Sequence, residues 1–275
     1  MLAQSNRARL IFEQGRETVR QARSPDTRSH PGDGFVAVSC NVGNGLADTG
    51  LLTDYLLRSN ADVVGIQELS ESQAAVIERD LSRAYPFRLL VPGGFAGKGV
   101  LSKLPIQNSG AIAFAPERPD LDATILIDDR ALRVIVAHPR PPRISRSGLL
   151  FDPVTENQVR SVGELALRNS PAIVLCDLNT TSMQQAYLQL LAAGLIDPFR
   201  HAGRWAATFP VRVGNTHRFG SRADKWKLKP VLRIDYVLHT PELVASDANV
   251  GEDVGSDHLP VYAVLHWREA VSTGQ

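Results

Sequence analysis

The chain has 275 residues, 43% of them hydrophobic, with 30 basic and 29 acidic side chains and a net charge of +1. That length and apolar content suit one large core, and the charge balance excludes a global polycation, so a polyanionic ligand must be met by a local patch. Two cysteines, Cys40 and Cys176, support neither a disulfide framework nor a cysteine zinc site and read as small core hydrophobes.

Residues 1–34 read as an appendage and linker: a weak helix around Leu10, Ile11 and Phe12, then the flexible stretch PDTRSHPGDG. A frayed, solvated terminus is the plainer account of it, and a basic segment touching a membrane or partner the sharper one. No run of about 18 apolar residues and no signal-peptide core is present, so the expected location is cytoplasmic by default. A domain is expected over 35–268, with 269–275 as a tail. Along it, apolar runs of strand length alternate with helix-like segments: FVAVSCNV, ADVVGIQE, GVLSKLPI, ALRVIVAHP, PAIVLCDLN, VLRIDYVLHT and LPVYAVLHW. Helix starts are expected at three capping boxes, Ser70 with Gln73, Thr155 with Gln158 and Ser182 with Gln185. The pattern is α/β with many strands.

Polar residues gather at the ends of these runs: Asn41, Glu68, His138, Asp177 with Asn179, Asp235 inside LRIDYV, and Asp257 with His258 before the last strand. In layered α/β folds such ends converge on one rim. Singly, Glu68 or Asp177 reads equally well as a cap or helix-dipole partner; together, four carboxylates, two Asn and two His make a candidate site. Ser256, Asp257 and His258 are consecutive at a strand mouth, where side chains alternate in direction, so they are not a nucleophilic triad. Oxygen donors with few imidazoles suit Mg²⁺ or Mn²⁺ rather than zinc. Such an ion serves phosphate-ester chemistry, with Asp to orient or activate water, Asn to bind a phosphoryl oxygen and His as base or donor.

At these residues the sequence resembles the endonuclease/exonuclease/phosphatase superfamily, the DNase I-like fold, from Phe35 to Trp267. Five motifs match in order: SCNV, VGIQE, LCDLN, RIDYVL and GSDHLPV. The resemblance implies a four-layer α/β/β/α sandwich and metal-dependent phosphoester hydrolysis. It further implies that Glu68 binds Mg²⁺ with Asn41 and Asp257 in or near its shell, and that Asp177 and Asn179 position water and phosphate. His258, oriented by Asp235, is then base or phosphate contact, and His138 a donor to a phosphate oxygen. Gly43 stands where the abasic-site branch of the family carries an Asp, and Cys176 where a Gly is common. The combination of HPRPP, LCDLN, LLAAGLIDPFR, RWAATFP and LRIDYVL most resembles a bacterial subgroup of uncharacterised members, many tethered by preceding membrane helices that are not found ahead of Phe35 here.

From Arg200 to Arg233 nine basic residues (Arg200, Arg204, Arg212, Arg218, Arg222, Lys225, Lys227, Lys229, Arg233) face one acid, Asp224, with Trp205 and Trp226 interleaved. The composition suits a phosphate backbone with stacked bases, an anionic lipid headgroup, or a merely solvated loop; Arg140, Arg143 and Arg146 add a second basic stretch. Arg218, Arg222, Lys225, Trp226 and Lys227 are the substrate-binding candidates. The expected function is a Mg²⁺-dependent phosphodiesterase or nuclease on nucleic acid. The alternatives are a phosphatase or phosphodiesterase on a lipid-linked, pyrophosphate or small phosphorylated substrate, with contact to a membrane surface, and a catalytically dead binding module. No protein partner is implied.

Overall fold

The structure, a computed structural model, describes residues 34–145, 148–150, 153–201, 206–212 and 227–269. Its strands are β1 (Phe35–Asn41), β2 (Val63–Gln67), β3 (Phe87–Val91), β4 (Lys98–Ser102), β5 (Ile106–Ile112), β6 (Asp120–Ile127), β7 (Arg130–Ala137), β8 (Arg143–Ser145), β9 (Gly148–Leu150), β10 (Ala172–Asp177), β11 (Asp235–His239), β12 (Leu243–Val250) and β13 (Val261–Trp267). Its helices are α1 (Thr49–Ser59), α2 (Glu71–Asp80), α3 (Pro153–Arg168), α4 (Gln185–Ala193) and the short α5 (Pro198–His201). The seven apolar runs all contain strand, with shifts. GVLSKLPI spans the end of β4 and the first residue of β5, and in VLRIDYVLHT the strand begins only at Asp235.

One sheet has the order β12-β13-β1-β2-β4-β3 and the other β11-β10-β7-β6-β5, with β8 and β9 paired apart from them. Alternate residues of each central strand serve different cores, as the two-residue period of a strand requires. In β1, Phe35 and Ala37 enter the core between the sheets while Val38 and Cys40 face the helices. In β10, Ile173 and Leu175 point inward and Ala172, Val174 and Cys176 outward. Being covered on both faces is what makes these strands read as unbroken apolar runs. Leu52 and Leu56 of α1 and Ile77 of α2 close one outer layer, and Val159 and Val162 of α3 with Leu190 of α4 close the other. The result is the expected four-layer α/β/β/α sandwich. Both cysteines are free and buried in its core. The sheets approach so closely at Gly65 that a Cβ there would lie 2.6 Å from Leu175 Cβ.

One of the three capping boxes is present. Ser70 accepts from Gln73 N at 3.3 Å while Gln73 Oε1 accepts from Ser70 N at 3.2 Å. The other two expectations are corrected. Pro153 opens α3 two residues earlier than Thr155, as its fixed φ favours, so Thr155 lies inside the helix and Gln158 instead donates to Asp120 Oδ2 at 2.8 Å. The cap of α4 is Gln184, not Ser182.

Strand direction brings the site together. β1 runs parallel to β2 and β7 parallel to β10, so Asn41, Glu68, His138 and Asp177 follow or end strands on one edge. β11 and β13 are antiparallel to their neighbours and enter from that same edge, which sets Asp235 opposite Asp177 and places Asp257 and His258 just ahead of β13.

Candidate active site

Asn41 bridges the two sheets: its Nδ2 donates to Asp177 Oδ2 at 2.9 Å, and its Oδ1 accepts from Gly43 N at 2.9 Å. Glu68 follows β2 in the left-handed region, with φ 56°, a conformation costing a non-glycine residue about 1–3 kcal/mol and often kept where function needs the direction. The turn is clamped: Asn44 N donates to Glu68 O at 2.9 Å, and Leu69 N to Gly97 O at 3.1 Å. Gly97 is obligatory there, because a Cβ would meet Leu69 O at 2.1 Å.

Around Glu68 the charges are crowded. Burial first, then the carboxylate of Asp177, push its carboxyl up to about 7, with Asp257 adding to the rise. Asp177 is likewise held near 7 by burial, despite the opposing pull of His258 and bonds from Asn179 N at 2.8 Å and from Asn41. Two neighbouring acids, Asp177 buried and Glu68 largely so, that resist ionising together are what a cation would relieve. His258 presents Nδ1 to both oxygens of Asp235, at 3.1 and 3.0 Å, and Nε2 to Asp177 Oδ2 at 3.8 Å. Burial alone would lower its pKa, but Asp235, Asp177 and Asp257 outweigh it and hold the imidazolium to about 10. His138 is the opposite case. Burial, then the positive charges of Lys98 and Arg118, keep it well below 6.5 and neutral, with Nε2 3.4 Å from Asp177 Oδ2 and 3.6 Å from Glu68 Oε1. Asn179, at φ 51°, donates from Nδ2 to Pro139 O at 3.0 Å.

Asp177, Asp235 and His258 offer ligand atoms within 4.8 Å of one another. Asp235 and Asp177 favour the imidazolium of His258, and an imidazolium between two carboxylates repels a metal rather than binding it. The donor set that fits a hard cation is the one around Glu68, with Asn41 and Asp257 beside it. Gly43 is part of that geometry. Its φ is +65°, and a Cβ there would stand 3.0 Å from Asp257 Oδ1, so an acid at this position would be strained and face a like charge. Ser256 is no nucleophile; its hydroxyl donates to Asn41 O at 2.7 Å and accepts from His258 N at 3.2 Å.

The family model of the Endonuclease/Exonuclease/phosphatase family matches residues 38–258. The chain belongs to this family. It is therefore a hydrolase of phosphate esters that works with a divalent metal. Among solved structures it is similar to an endonuclease/exonuclease/phosphatase of Beutenbergia cavernae, at 18% identity and TM-score 0.64 over 85% of this chain and 71% of that one. TDP2 of D. rerio, solved with a single-strand DNA product, gives 18% and 0.64 over 84% and 98%. A mannosyl-6-phosphatase of Bacteroides thetaiotaomicron gives 17% and 0.59 over 85% and 100%. No curated protein matches the sequence.

All eight strand-end residues predicted for the phosphoesterase site thus lie together. Arg218, Arg222, Lys225 and Trp226 fall outside the described residues, as does Arg146. Lys227 Nζ lies 2.9 Å from Asp253 Oδ2, beside Arg212, which holds the same carboxylate at 2.7 and 2.8 Å. Sequence reasoning missed Phe209, whose ring packs on His258 at 4.7 Å between centroids. It also missed Arg118, Lys98 and Asp120 behind His138. An aromatic before a proline, a lysine at the mouth of a strand, an arginine in a turn and an aspartate opening the unread β6 carried no visible signal.

Proposed function

We propose that the chain is a Mg²⁺-dependent phosphodiesterase acting on nucleic acid, with Mn²⁺ a competent substitute. A divalent ion, when bound, neutralises charge on the reacting phosphate, and Glu68, Asn41 and Asp257 would hold it. Asp177, with a carboxyl near 7, is matched to accept a proton from the attacking water at neutral pH. Asn41 and the amide of Asn179 fix its two oxygens in place. His258, kept protonated by Asp235, donates from Nε2 to a phosphate oxygen as charge builds there. His138, neutral, donates from the other side, and Asn179 orients the substrate.

The observation that favours a long polyanion is the root of the basic segment. Its incoming leg bonds to the loop of the site, Val211 N donating to Asp257 O at 2.8 Å and Leu259 N to Thr208 O at 2.9 Å. Its outgoing leg returns by Leu228 N to Val211 O at 2.7 Å. The described ends of the basic segment are therefore hydrogen-bonded to each other and to the loop carrying Asp257. Neutralising Arg218, Arg222 and Lys225 together is expected to weaken DNA binding and flatten its salt dependence, with turnover of a small chromogenic diester held within a few-fold. Trp226→Ala should follow the same split at about 1–3 kcal/mol if the ring stacks on bases. The second reading, a lipid-linked substrate, draws on the exposed Leu228, Val231 and Leu232 of the outgoing leg. It replaces the first if the neutralised variant binds and cuts DNA normally but fails on anionic vesicles or an isoprenyl pyrophosphate.

A further inference from the structure

Behind His138 lies a charged cluster that the phosphoesterase site does not use directly. Lys98, the first residue of β4, is 1% exposed, and Asp120, the first residue of β6, is fully buried. Burying a lysine and an aspartate costs far more than leaving them in water, and replacing such a pair by apolar residues is often neutral or stabilising. The pair's bonding explains its presence better than stability does. Lys98 Nζ donates to Pro119 O at 2.9 Å and to Ala96 O at 3.4 Å, and stands 3.8 Å from Asp120 Oδ1. Asp120 Oδ1 accepts from the backbone N–H of His138 at 3.1 Å, and Oδ2 accepts from Gln158 Nε2 at 2.8 Å. Gln158 Nε2 reaches Arg118 O at 3.3 Å, and the Arg118 guanidinium lies 3.5 Å from His138 Nδ1.

One ammonium therefore ties together three segments that meet at His138. Through Ala96, at 3.4 Å, it touches the turn before β4, while backbone bonds from Asn44 and to Gly97 hold Glu68 without it; through Pro119 it holds the stretch carrying Arg118, and through Asp120 the backbone of His138 itself. A neutral side chain at 98 could not donate to two carbonyls while balancing a buried carboxylate. The clamp matters because His138 Nε2 sits 3.4 Å from Asp177 and 3.6 Å from Glu68, and a displacement of about 1 Å in a catalytic group can cost on the order of 10²-fold in rate.

We propose that Lys98 and Asp120 form a buried positioning pair that sets His138 against the reacting phosphate, so that they act on turnover through His138 and not through the His258 side of the site. The proposal rests on the reading of His138 as a substrate donor. Double-mutant cycles on kcat with a chromogenic phosphodiester test it. Lys98→Met and Asp120→Asn are each expected to lower kcat by about 10- to 100-fold with KM within a few-fold. In a His138→Ala background the same changes should cost less than about 3-fold, whereas in a His258→Ala background they should keep their full effect. Lys98→Met leaves Asp120 uncompensated and is at risk of not folding. The Lys98→Met, Asp120→Asn double variant removes both buried charges, so it should melt closer to wild type than Lys98→Met and still show the lowered kcat. If that folded double variant turns over at the wild-type rate, or if its loss multiplies with that of His138→Ala, the inference fails while the reading of the site stands. If His138→Ala alone retains full turnover, the donor role of His138 falls and the inference with it.

Discussion

Asp235→Asn is the substitution whose consequences the geometry constrains most. The lift of His258 from 6.5 to about 10 corresponds to roughly 5 kcal/mol in favour of the imidazolium, at about 1.4 kcal/mol for each tenfold change. Asp235 is the largest contributor to that rise and the only one hydrogen-bonded to Nδ1, at 3.0 and 3.1 Å. Without it, burial is opposed by Asp177 and Asp257 alone, and His258 loses much of its charge at neutral pH. Turnover of a small phosphodiester should fall by about 10²- to 10⁴-fold. Because the two residues serve one function, Asp235→Asn with His258→Ala should be little worse than either alone. Stability follows the sign of the shift. A folded-state pKa raised above the unfolded value stabilises fully below about 6.5 and loses that contribution as pH rises through about 10. The gap in unfolding free energy between wild type and Asp235→Asn should then be a few kcal/mol at pH 6 and close towards pH 10. A gap independent of pH, or fully multiplicative losses in turnover, would refute the reasoning.

Glu68 carries the reverse prediction: its carboxyl is raised from 4.5 to about 7, so the metal-free protein should lose up to roughly 3 kcal/mol as pH climbs through that interval. Glu68→Gln should remove that share of the loss, leaving the shares of Asp177 and His258 in place, while removing most activity, so thermal melts in chelator at pH 5 and 8 should show a smaller drop for the variant than for wild type. Gly43→Asp, although it adds an acid, should destabilise by about 1–3 kcal/mol and raise no activity, since its φ is +65° and Asp257 Oδ1 would lie 3.0 Å from the new Cβ. Gly97→Ala should lower both melting temperature and turnover, because Leu69 O would stand 2.1 Å from its Cβ and the turn holding Glu68 must shift.

The central strands were legible because burial on both faces leaves a continuous apolar run, and the candidate site was legible because several acids, amides and imidazoles at the ends of such runs, taken together, have few other uses. Less visible were strands that obey neither rule. β5 carries QNSGA on a largely exposed edge, and β12 is a polar edge strand with a register shift between Ala245 and Asp247. β6 could have been read, since Leu121, Ala123, Ile125 and Ile127 alternate cleanly with Asp122 and Thr124. The failed capping boxes share one cause: a hydroxyl three residues before an amide is a local pattern, and Pro153 and Gln184 set the helix starts instead. Lys98 and Asp120 were invisible for a deeper reason, as a lysine reads as solvated until tertiary structure removes the water. The same limit applies to His138 and His258, whose opposite charge states come from neighbours distant in the chain.

The central claim is metal-dependent phosphoester hydrolysis with Glu68 as anchor. Its most direct test is the turnover of a chromogenic phosphodiester by wild type and Glu68→Gln, after chelation and across a titration of Mg²⁺ and of Mn²⁺. The account predicts that chelation silences the wild type and that either ion restores it. Glu68→Gln should stay folded, bind the ion more weakly and recover little turnover even at saturation. Activity that survives chelation, or a Glu68→Gln variant with wild-type turnover at limiting Mg²⁺, would contradict it.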